Sequence, residues 1–235
     1  MRNIRTPLLT LIISLLILAS YLIYTSKLDK VEKKNEFEIE IIKSEEWGAL
    51  KPKCTYDKNP YISAIIIHHT ATSNTYEDAK QVIRSIQSYH MYTRGWCDIG
   101  YHFIIDKDGK IYEGRPIWAV GAHVKGHNIG NIGVALLGNY DEAKPNEKQL
   151  KALINLLTWL CIKYNIPIEN IKGHKDYNPA TKCPGKYLYE KLDEIKKLVE
   201  ENIKRLEPNK LNFTINSQNS PNIITKLKPL NTNNF

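Results

Sequence analysis

AIIIHHTATS, residues 64–73, runs three isoleucines straight into two adjacent histidines and a series of small hydroxyl residues. The β-branched, apolar start predicts a strand over 64–68 that is buried on both faces, because a run without polar alternation leaves no face for water. Neighbouring strand residues point to opposite sides, so His68 and His69 do not readily ligate one ion together. Parity alone does not choose between them, since both faces are buried.

Outward from this strand the chain keeps alternating between helical and extended patterns. Thr75-Tyr76-Glu77-Asp78 resembles a capping box, opening a helix with Val82, Ile83, Ile86 and Tyr89 or His90 on one side. Tyr101–Ile105 and Ile111–Glu113 flank Lys107-Asp108-Gly109, which reads as a hairpin. Residues 132–137 form a second apolar strand, closed by Gly138. Asn146 caps a helix to about Tyr164, whose period makes Cys161 a small buried residue. The segment GHKDYNPATKCPGK, 173–186, is irregular, and Leu188, Leu192, Ile195, Val199 and Ile203 share one face of a last helix. This order predicts an α/β fold, a central mixed β-sheet flanked by helices, over residues 44–206.

The ends differ from the body. Residues 7–24 are uncharged and mostly apolar, long enough to span a bilayer as a helix, and follow Arg2 and Arg5. Residues 1–26 are therefore expected to be a transmembrane signal anchor, with a cleaved signal peptide as the alternative, although the small-x-small cleavage pattern at Ala19 is poor. Residues 27–43, dense in Lys and Glu, read as a charged linker, and residues 207–235 as a disordered tail. The net charge of +8 sits mostly at these ends: Arg2 and Arg5 carry +2 and residues 204–235 carry +4. The body holds only the remainder, so no nucleic-acid partner is expected.

Residues able to do chemistry gather in two places. His174 and Cys183 lie in one loop stiffened by Gly173, Pro179, Pro184 and Gly185. Imidazole nitrogen and thiolate are zinc ligands, and a histidine at the end of strand 64–68 is a candidate third. The spacing between His174 and Cys183 matches no standard zinc motif, and satisfied surface or core histidines are an equally available reading.

SEEWGA (44–49), IIIHHTAT (65–72), YHMYTRGWCDIGYHFIIDKDGKIYEGR (89–115), VGAHVKGHN (120–128), NIGVALLGNY (131–140) and GHKDYNPATKCPG (173–185) together point further. With these motifs the chain, from residue 44 to about 199, resembles the peptidoglycan recognition protein / type 2 N-acetylmuramoyl-L-alanine amidase family. The resemblance implies a Zn²⁺ cofactor held by His68, His174 and Cys183, and hydrolysis of the amide between N-acetylmuramic acid and L-alanine of peptidoglycan. Members that only bind peptidoglycan often carry another residue, commonly serine, at the position of Cys183. The complete ligand set therefore favours an enzyme over its rival, a non-catalytic peptidoglycan-binding receptor or wall-anchoring module.

Tyr101 and Thr181 match the family's catalytic helpers, a phenol and a hydroxyl placed to steady the oxyanion. Some bacterial relatives carry a glutamate general base in the IGV strand, where this chain has Ala135 or its apolar neighbours, and others have lysine in place of Thr181. His69, Thr70, His90, Arg94, Gly95, Trp96, Arg115, His123 and Asn128 match groove positions that contact the muropeptide. Gly95-Trp96 with Arg115 accompanies preference for meso-diaminopimelate over lysine in the stem peptide. On this reading Arg115 binds the extra carboxylate bidentately and Gly95 makes room beside the tryptophan. Cys54 and Cys97 fall where relatives have a disulfide, which implies an oxidising, extracytoplasmic location. The implied partners are peptidoglycan and, through the N-terminal helix, the membrane, for a chain expected to be a monomer.

Overall fold

The isoleucine run becomes strand β2, Ala64–His69, in the middle of a six-stranded sheet, and all six of its residues are buried. The computed structural model of the chain describes residues 5–34 and 39–206, and the expected tail over 207–235 lies outside the described residues. The sheet joins β1 (Ile41–Ile42), β4 (Ile111–Glu113), β3 (Phe103–Ile105), β5 (Asn131–Leu136), β2 and β6 (Ile171–Gly173), in that spatial order. Every pairing is parallel except the β3–β4 hairpin, so the sheet is mixed, as expected.

The hairpin turn is built by Asp106, whose Oδ1 accepts from the Asp108 and Lys110 amides at 2.9 Å each. Gly109 adopts φ +81°, and a Cβ there would stand 2.8 Å from the Lys148 carbonyl, so the turn requires glycine twice over.

Helix α2, Ala79–Ser88, is capped by Asp78, whose side chain accepts from Lys80 N at 2.8 Å. The cap is therefore Asp78 itself and not a box begun at Thr75. The Ser73 hydroxyl instead accepts from Thr75 N in a local turn, which competes with helix formation there. The helix closes on a single π turn, Tyr89–Thr93, that carries His90. Ile83 and Ile86 bury into a cluster with Trp47, Ile99, Ile104, Tyr112 and Leu137.

Helix α3, Glu147–Tyr164, is capped by Asn146 as expected and ends at Asn165 in the left-handed conformation. Cys161 is buried and free, a packing residue. The last expected helix is two: α4, Lys186–Tyr189, and α5, Leu192–Leu206. α5 lies against α3 and β6, and α3 also meets β3.

Residues 1–39 form a compact unit of their own. Its helix α1 runs from Arg5 to Lys34 without a break, so residues 5–26 of the expected anchor (1–26) and 27–34 of the expected linker (27–43) share one helix, and β1 takes up Ile41 and Ile42 from that linker. Ile13, Leu15, Leu16, Ile17 and Leu18 are exposed. The expected span over 7–24 is not supported: among the described residues no helix is long and apolar enough to cross a membrane.

Candidate metal centre and groove

Three donors converge where β2 and the 173–186 loop meet. One ligand atom each from His68, His174 and Cys183 lies within 4.8 Å of the others, and among the described residues this is the cluster of that kind. His68 comes from the end of β2 and is almost wholly buried. His174 opens a short turn, His174–Asp176, just after β6, where the Asp176 carboxylate accepts from Gly173 N at 2.8 Å. The loop is stapled across its own ligands: Lys175 N donates to the Cys183 carbonyl at 3.0 Å, and Cys183 N donates to Thr181 Oγ1 at 3.2 Å.

The donor set fits zinc. Bond lengths of about 2.3 Å to sulfur and about 2.0 Å to nitrogen, at a tetrahedral angle, put the two donors about 3.6 Å apart. Cys183 Sγ and His68 Nδ1 are 3.4 Å apart. Burial, with His123 and His174 adding to it, holds the His68 imidazole well below its ordinary pKa, and burial lowers His174 as well, so both rings are the neutral form that ligates. Burial pushes the Cys183 thiol up to about 12 without an ion, so a cation must displace its proton on binding.

His69 turns away from this cluster, as strand parity requires. Its Nδ1 accepts from Tyr140 N at 3.1 Å, which leaves the hydrogen on Nε2. His90 is held in the same way, by Gly100 N at 3.1 Å on Nδ1, and burial lowers its pKa to about 4. Protonating either Nδ1 would set it against a backbone N–H, so both rings are hydrogen-bond donors in the groove and poor proton acceptors.

A cavity of about 720 Å³ surrounds the cluster. Its lining brings together His68, His69, Thr70, Arg94, Trp96, Tyr101, His123, Asn128, His174, Thr181 and Cys183, and no Asp or Glu is among its lining residues. Thr70, His90 and Tyr101 also line an adjoining space of about 690 Å³ along α2. The Tyr101 ring lies 5.3 Å from the His68 ring, and burial keeps its phenol protonated well above the ordinary range. Thr181 accepts from Cys183 N, which leaves its own O–H available to donate.

Two groove candidates, Arg115 and Gly95, have surroundings that sequence alone did not convey. Arg115 is 7% exposed and does not line the cavity; its Nε donates to the Ile99 carbonyl at 2.7 Å, Nη1 to Val120 O at 2.8 Å and Nη2 to Asp98 O at 3.4 Å. A Cβ at Gly95 would meet no protein atom within 4 Å, and the residue also supplies φ +72°. The close approach is at Gly100, where a Cβ would stand 2.3 Å from Ala122 O and 3.0 Å from the Trp96 ring. Trp96 stacks on His90 at 4.6 Å between centroids, with the exposed Arg94 guanidinium 5.5 Å from its ring.

Asn128 Oδ1 accepts from His123 N and Val124 N at 2.8 Å each, shaping the loop. Cys54 and Cys97 form the expected disulfide. The sequence reading passed over His102, which is satisfied at both nitrogens, accepting from Gly133 N and facing the Ala119 carbonyl. Only its period-two place beside β3 hinted that it points inward.

Residues 57–186 match the family described as Amidase_2, N-acetylmuramoyl-L-alanine amidase. A peptidoglycan recognition protein from Trichoplusia ni is 38% identical over 156 residues, 65% of this chain and 85% of that protein. The N-acetylmuramoyl-L-alanine amidase LysC from Clostridium intestinale is similar in structure at TM-score 0.60 and 35% identity, over 69% of this chain and 99% of that one. A peptidoglycan recognition protein in complex with tracheal cytotoxin, a monomeric diaminopimelic acid-type peptidoglycan, matches at TM-score 0.61 and 34% identity, over 66% and 92%. The family match covers more than half of the sequence, and the chain belongs to the type 2 N-acetylmuramoyl-L-alanine amidase / peptidoglycan recognition protein family.

Proposed function

We propose that the chain is a zinc-dependent amidase that cleaves the bond between N-acetylmuramic acid and L-alanine of peptidoglycan. The observation that carries this reading is the complete donor set, His68, His174 and Cys183, gathered within 4.8 Å beside an open groove. Zinc bound there supplies a Lewis acid that polarises the scissile carbonyl and acidifies water. The chain's own residues do the rest. Tyr101, a phenol at all ordinary pH, and Thr181 donate to the oxygen that gains charge as the carbonyl is attacked. His69 donates from Nε2 into the same groove. Among the described residues no carboxylate lines the cavity around the three donors; Glu77 and Asp78 line only the adjoining space along α2.

The stem peptide is proposed to be of the meso-diaminopimelate type, as in the tracheal cytotoxin bound by one relative. Arg94, exposed in the cavity wall over Trp96, is the guanidinium proposed to meet the extra carboxylate. The Cys54–Cys97 disulfide supports an extracytoplasmic site of action, in an oxidising compartment.

A second reading, recognition without cleavage, is favoured by the relatives described as recognition proteins. The Cys183→Ser variant separates the two. An amidase loses turnover with this change while muropeptide binding stays measurable; a receptor shows no turnover with Cys183 intact and metal supplied.

A further inference from the structure

We infer that His123 is a positioning residue for the metal centre: it locks His68 in the tautomer that offers Nδ1 to the ion. The inference rests on the zinc reading of the site and assigns His123 a task other than contact with the muropeptide.

A chain of three hydrogen bonds carries the argument. His123 Nε2 lies 3.3 Å from the Asn131 carbonyl oxygen, which only accepts, so that nitrogen bears the hydrogen. A neutral imidazole protonated at Nε2 has a lone pair at Nδ1. His123 Nδ1 is 3.0 Å from His68 Nε2, so it accepts and the hydrogen lies on His68 Nε2. The lone pair of His68 is then on Nδ1, the atom 3.4 Å from Cys183 Sγ. One backbone carbonyl thus determines, two rings away, which nitrogen of His68 faces the metal. An outer partner of this kind orients a ligating ring and raises its basicity.

The slot that holds His123 is independent support. Gly121 and Gly133 flank the ring, and a Cβ on either would stand 2.5 Å or 2.7 Å from it. Neither glycine adopts a positive φ, so space for the imidazole and not backbone conformation accounts for both. Gly133 lies in β5 next to Ile66 of β2 in register, two residues before Ala135, the partner of His68. The His123 backbone is pinned as well, through Asn128 Oδ1 at 2.8 Å.

The test has two arms on the full chain. Zinc affinity is measured by competition with a chelator for the wild type, His123→Ala and His123→Asn, with circular dichroism as a check on folding. His123→Ala should weaken zinc binding by about 10- to 100-fold. His123→Asn should recover most of that loss, because its Oδ1 occupies the place of Nδ1 and accepts from His68. Equal affinity in all three proteins overturns the inference. A wild type that takes up no zinc overturns the metal centre instead. The second arm needs no variant: long-range ¹H–¹⁵N spectra of the metal-free wild type should show His68 and His123 both protonated at Nε2. A His68 ring protonated at Nδ1 overturns the inference whatever the variants do.

Discussion

Arg115 Nε donates to the carbonyl of Ile99 at 2.7 Å, and the same guanidinium reaches the Val120 carbonyl at 2.8 Å. An arginine used in this way binds two stretches of chain that meet beneath the Trp96 wall. Arg115→Ala leaves those carbonyls without their charged donor and should cost about 2–4 kcal/mol of stability. Arg115→Lys should rescue little, because an ammonium lacks the planar fork that serves both oxygens. Urea unfolding decides: an Arg115→Ala protein as stable as wild type would return this residue to the groove.

Arg94 should behave in the opposite way. It is exposed and over the Trp96 ring, so Arg94→Ala should leave the unfolding midpoint nearly unchanged. Its effect should appear in the ratio of affinities for diaminopimelate-type and lysine-type muropeptides, which falls towards one. Isothermal titration with both ligands measures it, and an unaltered ratio removes Arg94 from the recognition of the extra carboxylate.

His102 makes stability depend on pH. Burial lowers its pKa to about 4 from an ordinary 6.5, so the unfolded chain takes up a proton first as pH falls. Stability is complete above pH 6.5 and declines from there towards pH 4, by something on the order of 3 kcal/mol from this one ring. Replacing it by glutamine should flatten the unfolding curve across that window. If the wild-type and variant slopes between pH 6.5 and 4 coincide, His102 is not the titrating group.

Tyr101→Phe should keep zinc and lose rate. The phenol lies near His68 and contributes no ligand atom to the cluster. Loss of one donor to a developing oxyanion should lower kcat by about 10²- to 10³-fold. Metal content by atomic absorption, alongside kcat, distinguishes this from a collapsed site: a variant that loses zinc together with rate has a structural tyrosine.

Much of the fold was legible because burial on both faces writes itself as an unbroken apolar run, as in β2 and β5. β1 and β6, of two and three residues, are too short to display a period and exist only through their neighbours' edges. The break between α4 and α5 was hidden by an apolar face that continues across it. At the site, the three donors His68, His174 and Cys183 were named through the family motifs, while the tasks of the other histidines were not readable, since each depends on what touches its ring nitrogens. His102 and His123 look alike in sequence; one accepts a backbone amide at Nδ1 and the other faces His68. Sequence likewise carries the charge of Arg115 and not the Ile99 and Val120 carbonyls that its guanidinium meets.

The most direct test of the amidase reading is mass spectrometry of purified diaminopimelate-type sacculi after incubation with the full chain, with and without a chelator. The account predicts free stem peptides beginning at L-alanine, released only when zinc is present and restored when it is added back. Disaccharide-linked peptides, or no release with metal bound, would contradict it.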